Sequence, residues 1–414
     1  PEVIPEFEPQ HKLFKVMRET GKWGEELGER FGFYPPGNWD VTGRSFGRSL
    51  MNGIKKTDNI TIYNDVAITD LLKCGDKVTG ALGLDLYNGC LIEFEAKATI
   101  LGTGGFQPYT LKSTNTDSTG DGQAMAYRAG AKLADMEFIL FMVTAIEPRE
   151  YFGSILPALC TFRSAFDYDA VDCEGKRIEV PEKVKEMESV SEMCKVLDMY
   201  YYGKALNEGR GTEHGGFYFD FHRFSDEEID RMFDAVMDHF EGFYPHGYYH
   251  AESIVEYRDY IKEHRRVEVG FGGEYSVGGI YINDSMETTL PGLYAAGEVG
   301  CGTFGANRVA DAVTEMIAQG YKAGEVAAKR VKDEMSLSAD RDSVAKAVGA
   351  LEQILSNENG ITIKQAKKQL QSISDRTLKL LRNEKTLSCG VADYEKLGDA
   401  LVNITIASKG LTYN

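Results

Sequence analysis

Three glycine-rich turns constrain this sequence more than any other feature. They lie at residues 102–105 in "ILGTGGF", at residues 119–122 in "STGDGQAMAYRAGA" and at residues 300–305 in "GEVGCGTFG". Glycine lets a backbone approach a flat ligand closely, and the N-terminus of a following helix attracts negative charge. Any one of the three could be a plain tight turn. All three in this order, with a β-hairpin before them and a region of different composition between them, form a specific pattern.

The third turn has the spacing G-x-G-x-x-G and follows an apolar run typical of a strand. A dinucleotide fingerprint also needs a helix, a second strand and an acidic residue about 20 residues further on. Here "AGEVAAKRVKDEM" continues the helical pattern, so no βαβ unit closes and an NAD site is not expected. The helix predicted from about Asn307 would place its positive N-terminus beside the negative N1–O2 edge of a reduced flavin. Glu298, at the end of the strand, would accept hydrogen bonds from ribityl hydroxyls or, alternatively, cap a turn.

Periodicity predicts the elements that precede these turns. Residues 10–30 have the spacing of a helix, and residues 60–100 have the composition of strands. The dipeptide Asn88-Gly89 between two alternating runs indicates a hairpin. The second arm of this hairpin leads into the apolar strand before the first glycine turn, and a helix is expected at about 120–131.

The amino-acid composition of the chain changes after about residue 137. From about residue 137 to residue 260 it is rich in Tyr, Phe, Met and acidic side chains, which indicates an inserted domain. Short apolar strands then return before the third glycine turn. A helix over 307–335 and a helical tail with charged faces, in two or three helices, complete the prediction.

Composition excludes several classes of protein. The formal net charge of −18 argues against nucleic acid or an anionic membrane surface as a partner. No apolar run reaches the length of a membrane span. The seven cysteines are scattered without a C-x-x-C pair, so neither a zinc site nor an iron–sulfur cluster is expected within the chain. The sequence begins without Met or a signal peptide, and we expect it to start inside a longer polypeptide.

On the segments "ATILGTGGF", "STGDGQAMAYRAGAKLADMEF", "YSVGGIYIND" and "LPGLYAAGEVG…FGANR", the chain resembles the flavoprotein subunits of fumarate reductase and succinate dehydrogenase. The resemblance implies FAD as cofactor and an α/β (α+β) fold, with an FAD-binding domain, an inserted capping domain and a C-terminal helical segment. The implied limits are 1–136 and 266–335 for the two parts of the FAD-binding domain, 137–265 for the capping domain and 336–414 for the helical domain. The first nucleotide-binding turn of the family has no counterpart here, so the resemblance implies that the N-terminal ADP-binding βαβ unit lies upstream of Pro1.

The resemblance also implies the residues that contact FAD. Val66 would meet the adenine through its backbone, Glu298 would hold the ribityl chain, and Gly278 and Gly279 would pass close to the flavin ring. The full implied set of cofactor-binding residues is Val66, Thr103, Gly104, Gly105, Asp121, Gly278, Gly279, Glu298, Ala310 and Val313.

The substrate side departs from the family. Met142 stands where the family has the histidine of F-H-P-T-G. Glu274 replaces the histidine of H-Y-T-M-G-G, and Phe304 replaces the histidine of H-G-A-N-R. Arg308 of the last motif is retained. The capping-domain arginine that donates a proton in the family has no clear counterpart, and Lys195 is the nearest basic residue. The implied catalytic candidates are therefore Arg308, Glu274 and Lys195.

These departures bear on the substrate. Two carboxylates in a dry site need cationic partners, and glutamate in place of histidine adds a charge of the wrong sign. A C4 dicarboxylate is therefore not the expected substrate, and a different enoate or enone is. Arg308 would clamp a carboxylate or polarise a carbonyl, or else form a structural ion pair. Glu274 would be an acid or base with a raised pKa, or a satisfied structural carboxylate.

Taken together, the sequence predicts a cytoplasmic FAD-dependent oxidoreductase that transfers a hydride between flavin N5 and a C=C or CH–CH bond of a small unsaturated molecule. The resemblance implies that a separate iron–sulfur protein supplies the electrons, and any membrane association would run through partner subunits. Two alternatives remain open. One is a non-catalytic electron-transfer flavoprotein within a multi-subunit redox complex, and the other is a single-subunit dehydrogenase of larger ring substrates, with the runs "MYYYG" and "GFYPHGYYH" as pocket walls.

Overall fold

The computed structural model describes residues 50–112, 118–154, 168–185, 196–233, 251–302, 312–332 and 334–406. The chain divides into two compact units. The first holds residues 1–62, 156–202 and 210–269, and the second holds residues 63–155, 203–209 and 270–414. The predicted limits of the FAD-binding, capping and helical domains stay predictions.

The described strands, in chain order, are β1 (Val66–Cys74), β2 (Lys77–Asp85), β3 (Leu91–Glu95), β4 (Thr99–Leu101), β5 (Leu133–Ala134), β6 (Ile139–Ala145), β7 (Asp169–Val171), β8 (Phe217–Asp220), β9 (Arg266–Ser276), β10 (Gly279–Ile280) and β11 (Leu293–Ala295). The described helices are α1 (Asp121–Ala129), α2 (Glu182–Lys185), α3 (Val196–Asn207), α4 (Ala251–His264), α5 (Ala312–Arg330), α6 (Arg341–Ser356), α7 (Ile363–Thr377) and α8 (Glu384–Leu401). No helix in the part of the chain that the structure describes combines the length and the apolar character needed to cross a bilayer.

An antiparallel meander of β1, β2 and β3 opens the second unit. The predicted turn at Asn88 and Gly89 is confirmed: the Asp85 carboxylate accepts the backbone N–H groups of Tyr87 and Asn88, each at 2.9 Å. Alternation was expected in both arms, and it holds for β3 but not for β2, whose residues 78–83 are all buried. The reason is that β2 is the central strand and is covered on both faces.

Two small clusters of side chains bury the meander. One joins Leu71 and Val78 to Leu101 of β4 and Met125 of α1. The other joins Leu72 and Leu82 to Ala347 of α6. Burying such side chains stabilises the fold by about 1.5–3 kcal/mol each. The meander therefore holds β4 and α1 in place, and these elements carry the first two glycine turns.

The glycine turns leave from a small parallel sheet. β4 pairs in parallel with β11, so both strands end at the same edge. Residues 102–105 follow β4, and a single 3-10 turn, Gly297–Val299, follows β11. The helix predicted at 120–131 is α1, which begins at Asp121 and ends at Ala129.

The C-terminal part of the second unit is helical, as predicted. The helix expected over 307–335 is described from Ala312 and ends at Arg330; its predicted start lies outside the described residues. The tail contains α6, α7 and α8, of which α7 and α8 each begin with a capping box. The helix predicted over 10–30 also lies outside the described residues.

The first unit is built around an antiparallel sheet of β7, β8 and the beginning of β9. One face of this sheet buries an aromatic cluster in which the rings of Tyr202 and Phe217 lie 4.8 Å apart. Tyr202, Phe217 and Phe219 are all almost completely buried. Part of the Tyr- and Phe-rich composition of this region is thus explained by a hydrophobic core.

Candidate functional site

Two of the glycine turns that the sequence singles out, at residues 102–105 and 119–122, meet the 3-10 turn after β11 within the second unit. The third glycine turn, at residues 300–305, extends beyond the described residues. A Cβ atom on Gly105 would lie 2.2 Å from Ser276 Oγ and 2.3 Å from Glu298 Oε1. A Cβ atom on Gly122 would lie 1.9 Å from the hydroxyl of Thr103. These distances are far below van der Waals contact, so only glycine fits at both positions. The turns after β4, before α1 and after β11 are therefore packed directly on one another.

Two buried glutamines fix the turn after β11. The side-chain amide of Gln123, on α1, donates to the backbone carbonyls of Gly104 at 3.1 Å and Glu298 at 3.4 Å. On the other side, Gln319 of α5 accepts the backbone N–H of Gly297 at 2.8 Å and donates to Glu315 at 3.2 Å. Because each glutamine joins this turn to a different helix, the position of Glu298 depends on both helices.

Glu298 is buried and bonded to the end of β9. Its Oε1 atom accepts the backbone N–H of Ser276 at 2.9 Å and the hydroxyl of Ser276 at 3.2 Å. These two hydrogen bonds hold the carboxyl group of Glu298 against the end of β9. The expected contact between Glu298 and a ribityl chain stays a prediction, whereas its bond to β9 gives it a structural role as well.

Glu274 lies two residues before Ser276 on β9 and is half-buried. Burial, and in second place the negative charge of Glu298, raises its pKa from 4.5 to about 7. Both causes disfavour the charged form, so near neutral pH a large fraction of Glu274 carries a proton. A carboxyl group in this state can give or take a proton at neutral pH. The role of Glu274 as an acid or base, or as a structural carboxylate, stays a prediction.

A cavity of about 930 Å³ opens beside these turns. Three of the predicted cofactor-binding residues, Val66, Thr103 and Asp121, line it together. It lies between β1, α1 and α6, and its further lining includes the basic side chains of Lys73, Arg128 and Lys346. The structure thus places Val66, Thr103 and Asp121, which lie up to 55 positions apart in sequence, around one space.

The cavity and its rim fit a dinucleotide such as FAD. The volume lies within the range of small-molecule and cofactor sites, about 300–1,000 Å³. Gly104 has φ +75°, and the space where its Cβ would stand is open, so its backbone can face a ligand. Asp121 begins α1 and accepts a hydrogen bond from the Thr119 hydroxyl. The N-terminus of α1 and the basic side chains are suited to phosphate groups.

The other residues that the sequence singled out fall into four groups. Gly278 and Gly279 are buried, and Cβ atoms there would lie 2.0 Å from the backbone oxygen of Asp135 and 2.4 Å from that of Val299, so backbone packing alone explains both glycines. Val313 is half exposed in the first turn of α5. Arg308, Lys195, Ala310 and Phe304 lie outside the described residues. Met142, in the position of a family histidine, is buried in β6.

Sequence reasoning missed Gln123, Gln319 and Ser276. A signal exists only for the two glutamines, each of which is a polar residue on the buried face of a helix. Such a residue is buried only with a hydrogen-bond partner, and its presence indicates that a backbone group is held there.

Comparison with known proteins agrees with this geometry. The sequence profile of the family described as FAD binding domain matches residues 1–310. An uncharacterized FAD-dependent oxidoreductase of Methanocaldococcus jannaschii is 30% identical over 89% of this chain, and a subunit of the fumarate reductase (CoM/CoB) of Methanothermobacter marburgensis is 27% identical over 90%. The solved structure of Mycobacterium smegmatis Sdh1 in complex with UQ1 matches 91% of the chain with a TM-score of 0.73 and 25% identity.

The matches cover the chain almost completely but not the relatives. The chain spans 64% of the length of each of the two curated relatives and 63% of the length of the solved chain.

Proposed function

Because this chain belongs to the FAD-binding family that includes the flavoprotein subunits of fumarate reductase and succinate dehydrogenase, with FAD as its cofactor, we propose that it is an oxidoreductase acting on a C=C or CH–CH bond. The observation that carries the proposal is the cavity shared by Val66, Thr103 and Asp121 beside the interlocked glycine turns. Bound FAD supplies hydride chemistry at its N5 atom, and the protein supplies orientation, charge and a proton.

The residues that would hold FAD lie on both sides of the turn after β11. Val66, Thr103 and Asp121 would contact it from the cavity, and the open backbone at Gly104 would lie against it. Gly105 lets Glu298 approach the turn after β4, which the side chain of any other residue would prevent. The resemblance of the sequence to the flavoprotein subunits adds Ala310 and Val313 to the proposed contacts, and of these two only Val313, in the first turn of α5, lies within the described residues.

Glu274 is proposed as the proton donor or acceptor for the substrate. Reduction of an activated C=C bond needs one proton besides the hydride, and a carboxyl group with a pKa of about 7 can deliver it at neutral pH. Arg308 is proposed to hold a carboxylate or polarise a carbonyl group of the substrate. Lys195 is the remaining candidate from the sequence, as a second proton donor.

Electrons are proposed to arrive from a separate iron–sulfur protein. The relative from Methanothermobacter marburgensis is named as one subunit of its enzyme, which implies further subunits there. Carried over to this chain, the same arrangement would need a docking partner that brings electrons to FAD.

A second candidate function is a non-catalytic electron-transfer subunit. The observation that favours it is the replacement of family histidines by Met142, which is buried, and by Glu274, whose strongest charged neighbour is another carboxylate. Under this alternative FAD is bound and reducible, but no alkene accepts its electrons.

Anaerobic turnover of the full-length, FAD-loaded protein separates the two candidates. Reduced methyl viologen serves as donor, and fumarate, cinnamate, 2-cyclohexenone and testosterone serve as acceptors. The proposal expects at least one acceptor to oxidise the viologen with formation of the saturated product. Arg308→Ala should then lose turnover while FAD stays bound, and Arg341→Ala, a change at an exposed arginine on α6, should not. Oxidation by none of the four acceptors, with FAD fully reducible, would favour the electron-transfer role.

A further inference from the structure

β6 and β9 are neighbouring strands of one sheet, and two close approaches between them indicate their register. A Cβ atom on Gly270 of β9 would lie 2.8 Å from Ile146, just beyond the end of β6, and one on Gly272 would lie 2.5 Å from the hydroxyl of Thr144. Two residues forward along β9, from Gly270 to Gly272, the contacted residue lies two positions back in sequence, at Thr144 instead of Ile146. This is the pairing of antiparallel strands. The next step of this register places Met142 beside Glu274 on the same face.

The same face continues to the buried carboxylate. Ser276, two residues beyond Glu274, shares its face because side chains alternate along a strand. Ser276 holds Glu298 by two hydrogen bonds. The face thus presents, in order, the thioether of Met142, the half-buried carboxyl group of Glu274, and Ser276, which holds the carboxylate of Glu298 by two hydrogen bonds.

The charge of this face is unsuited to an anion. Burial, and in second place the negative charge of Glu298, raises the pKa of Glu274 to about 7, so a large fraction of this carboxyl group is protonated at neutral pH. Among the described residues of this face, a substrate carboxylate would meet an acid, a carboxylate and a sulfur atom, and burying an anion without a cationic partner costs several kcal/mol. A carbonyl oxygen would instead accept a hydrogen bond from the protonated carboxyl group, while the flexible thioether of Met142 packs against an apolar substituent.

We infer that the substrate presents an uncharged hydrogen-bond acceptor, the carbonyl of a ketone, ester or amide conjugated with the reacting C=C bond, to the face formed by Met142 and Glu274. This inference rests on the proposed function, because it takes Glu274 to be a group that touches substrate. It narrows the substrate class from any activated alkene to an alkene whose group facing Met142 and Glu274 carries no charge.

A matched series of ligands tests this inference on the oxidised, FAD-loaded, full-length protein. Fumarate, monomethyl fumarate and dimethyl fumarate share the same C=C bond and carry two, one and no negative charges. Their binding is measured by calorimetry, which needs no turnover. The expected result is that at least one ester binds at least ten-fold more tightly than fumarate.

Two variants and one control attribute the preference to this face. Glu274→Gln keeps a donor without charge and should retain the preference for the ester. Glu274→His introduces a cationic donor and should tighten fumarate binding at least ten-fold. Glu95→Gln, at an exposed position on β3, should behave as the unmodified protein. Fumarate binding as tightly as the esters, no binding by any of the three, or a preference unchanged by Glu274→His would each overturn the inference. Failure of the proposed function would give a different result: the esters would bind in the expected order, but none would be turned over with reduced viologen as donor.

Discussion

The backbone N–H of Ser276 donates to the carboxylate of Glu298 at 2.9 Å, and this bond joins the end of β9 to the turn after β11. The two residues are 22 positions apart, and glycine at position 105 is the only residue type that allows the carboxylate to reach across. The buried carboxylate of Glu298 thus joins the end of β9 to the turn after β11 and contacts the glycine turn after β4. Its negative charge also contributes to the raised pKa of Glu274.

Removal of the Glu298 carboxylate should destabilise the fold. Glu298→Ala leaves the Ser276 N–H without this acceptor in a buried place, which costs about 1–3 kcal/mol. Glu298→Gln keeps an acceptor oxygen and should cost less. Urea unfolding of the FAD-free protein measures both, and Glu95→Ala, at an exposed site, is the control. Equal stability of Glu298→Ala and Glu95→Ala would contradict the assigned role.

Gln319 should matter for FAD binding as well as for stability. Gln319→Ala removes the acceptor of the Gly297 N–H and frees the turn that carries Glu298, at a cost of about 1–3 kcal/mol. We expect weaker FAD binding because the turn is no longer held in the shape that fits the cofactor. Fluorescence titration with FAD measures this effect. Gln353→Ala, an exposed glutamine on α6, should leave both stability and affinity unchanged.

A methyl group should be tolerated at one glycine and not at another. Gly105→Ala places a Cβ atom 2.3 Å from Glu298 Oε1, and overpacking of this kind costs about 1–3 kcal/mol or more. Gly349→Ala lies in α6 with nothing within 4 Å, and helix propensity should make it stabilising by up to about 1 kcal/mol. Thermal unfolding of both variants should give shifts of opposite sign. A neutral Gly105→Ala would show that the turns are not packed as described.

The raised pKa of Glu274 predicts a pH dependence of stability. Between pH 4.5 and about 7 the unfolded chain releases the proton of this group while the native state keeps it, so stability falls with rising pH. Below pH 4.5 both states are protonated, and above about 7 the cost is complete, of the order of 3 kcal/mol. Glu274→Gln removes the cost. Its stability relative to the unmodified protein should therefore rise across this window, as followed by urea unfolding at several pH values.

The pH prediction would be contradicted if the free energies of unfolding of Glu274→Gln and of the unmodified protein differed by a constant amount from pH 4.5 to 7. Glu95→Gln provides the control, because this side chain is exposed on β3 and its replacement should leave the pH profile of stability as it is. Glu298→Gln provides a second check: it removes the neighbouring charge and should narrow the window by lowering the pKa of Glu274.

Features set by local sterics could be predicted from the sequence. The turn at Asn88 and Gly89 and the glycine turn after β4 were recognisable because only a few residue types suit such positions. The helix at Asp121 followed from periodicity and from the glycine before it. The family motifs gave Val66, Thr103 and Asp121 as a set, and the structure brings these three to one cavity.

Contacts between distant segments could not be predicted. Gln123 meets the carbonyl of Glu298 across 175 positions, and nothing local to either residue indicates the other. The pairing of Met142 with Glu274 depends on the register of β6 and β9, and a shift by one residue would turn each side chain to the other face. The continuous burial of β2 likewise depends on α6, which packs on it from the far end of the chain.

The central claim is that FAD bound by this protein exchanges electrons with an activated C=C bond. The most direct measurement is the anaerobic half-reaction: the bound flavin of the full-length protein is photoreduced, and its visible absorption band is followed as dimethyl fumarate or 2-cyclohexenone is added. We expect the oxidised band to return with at least one of these alkenes, and ferricyanide to restore it in every case. Return of the band with ferricyanide but with neither alkene, or no flavin band at all, would contradict the proposed function.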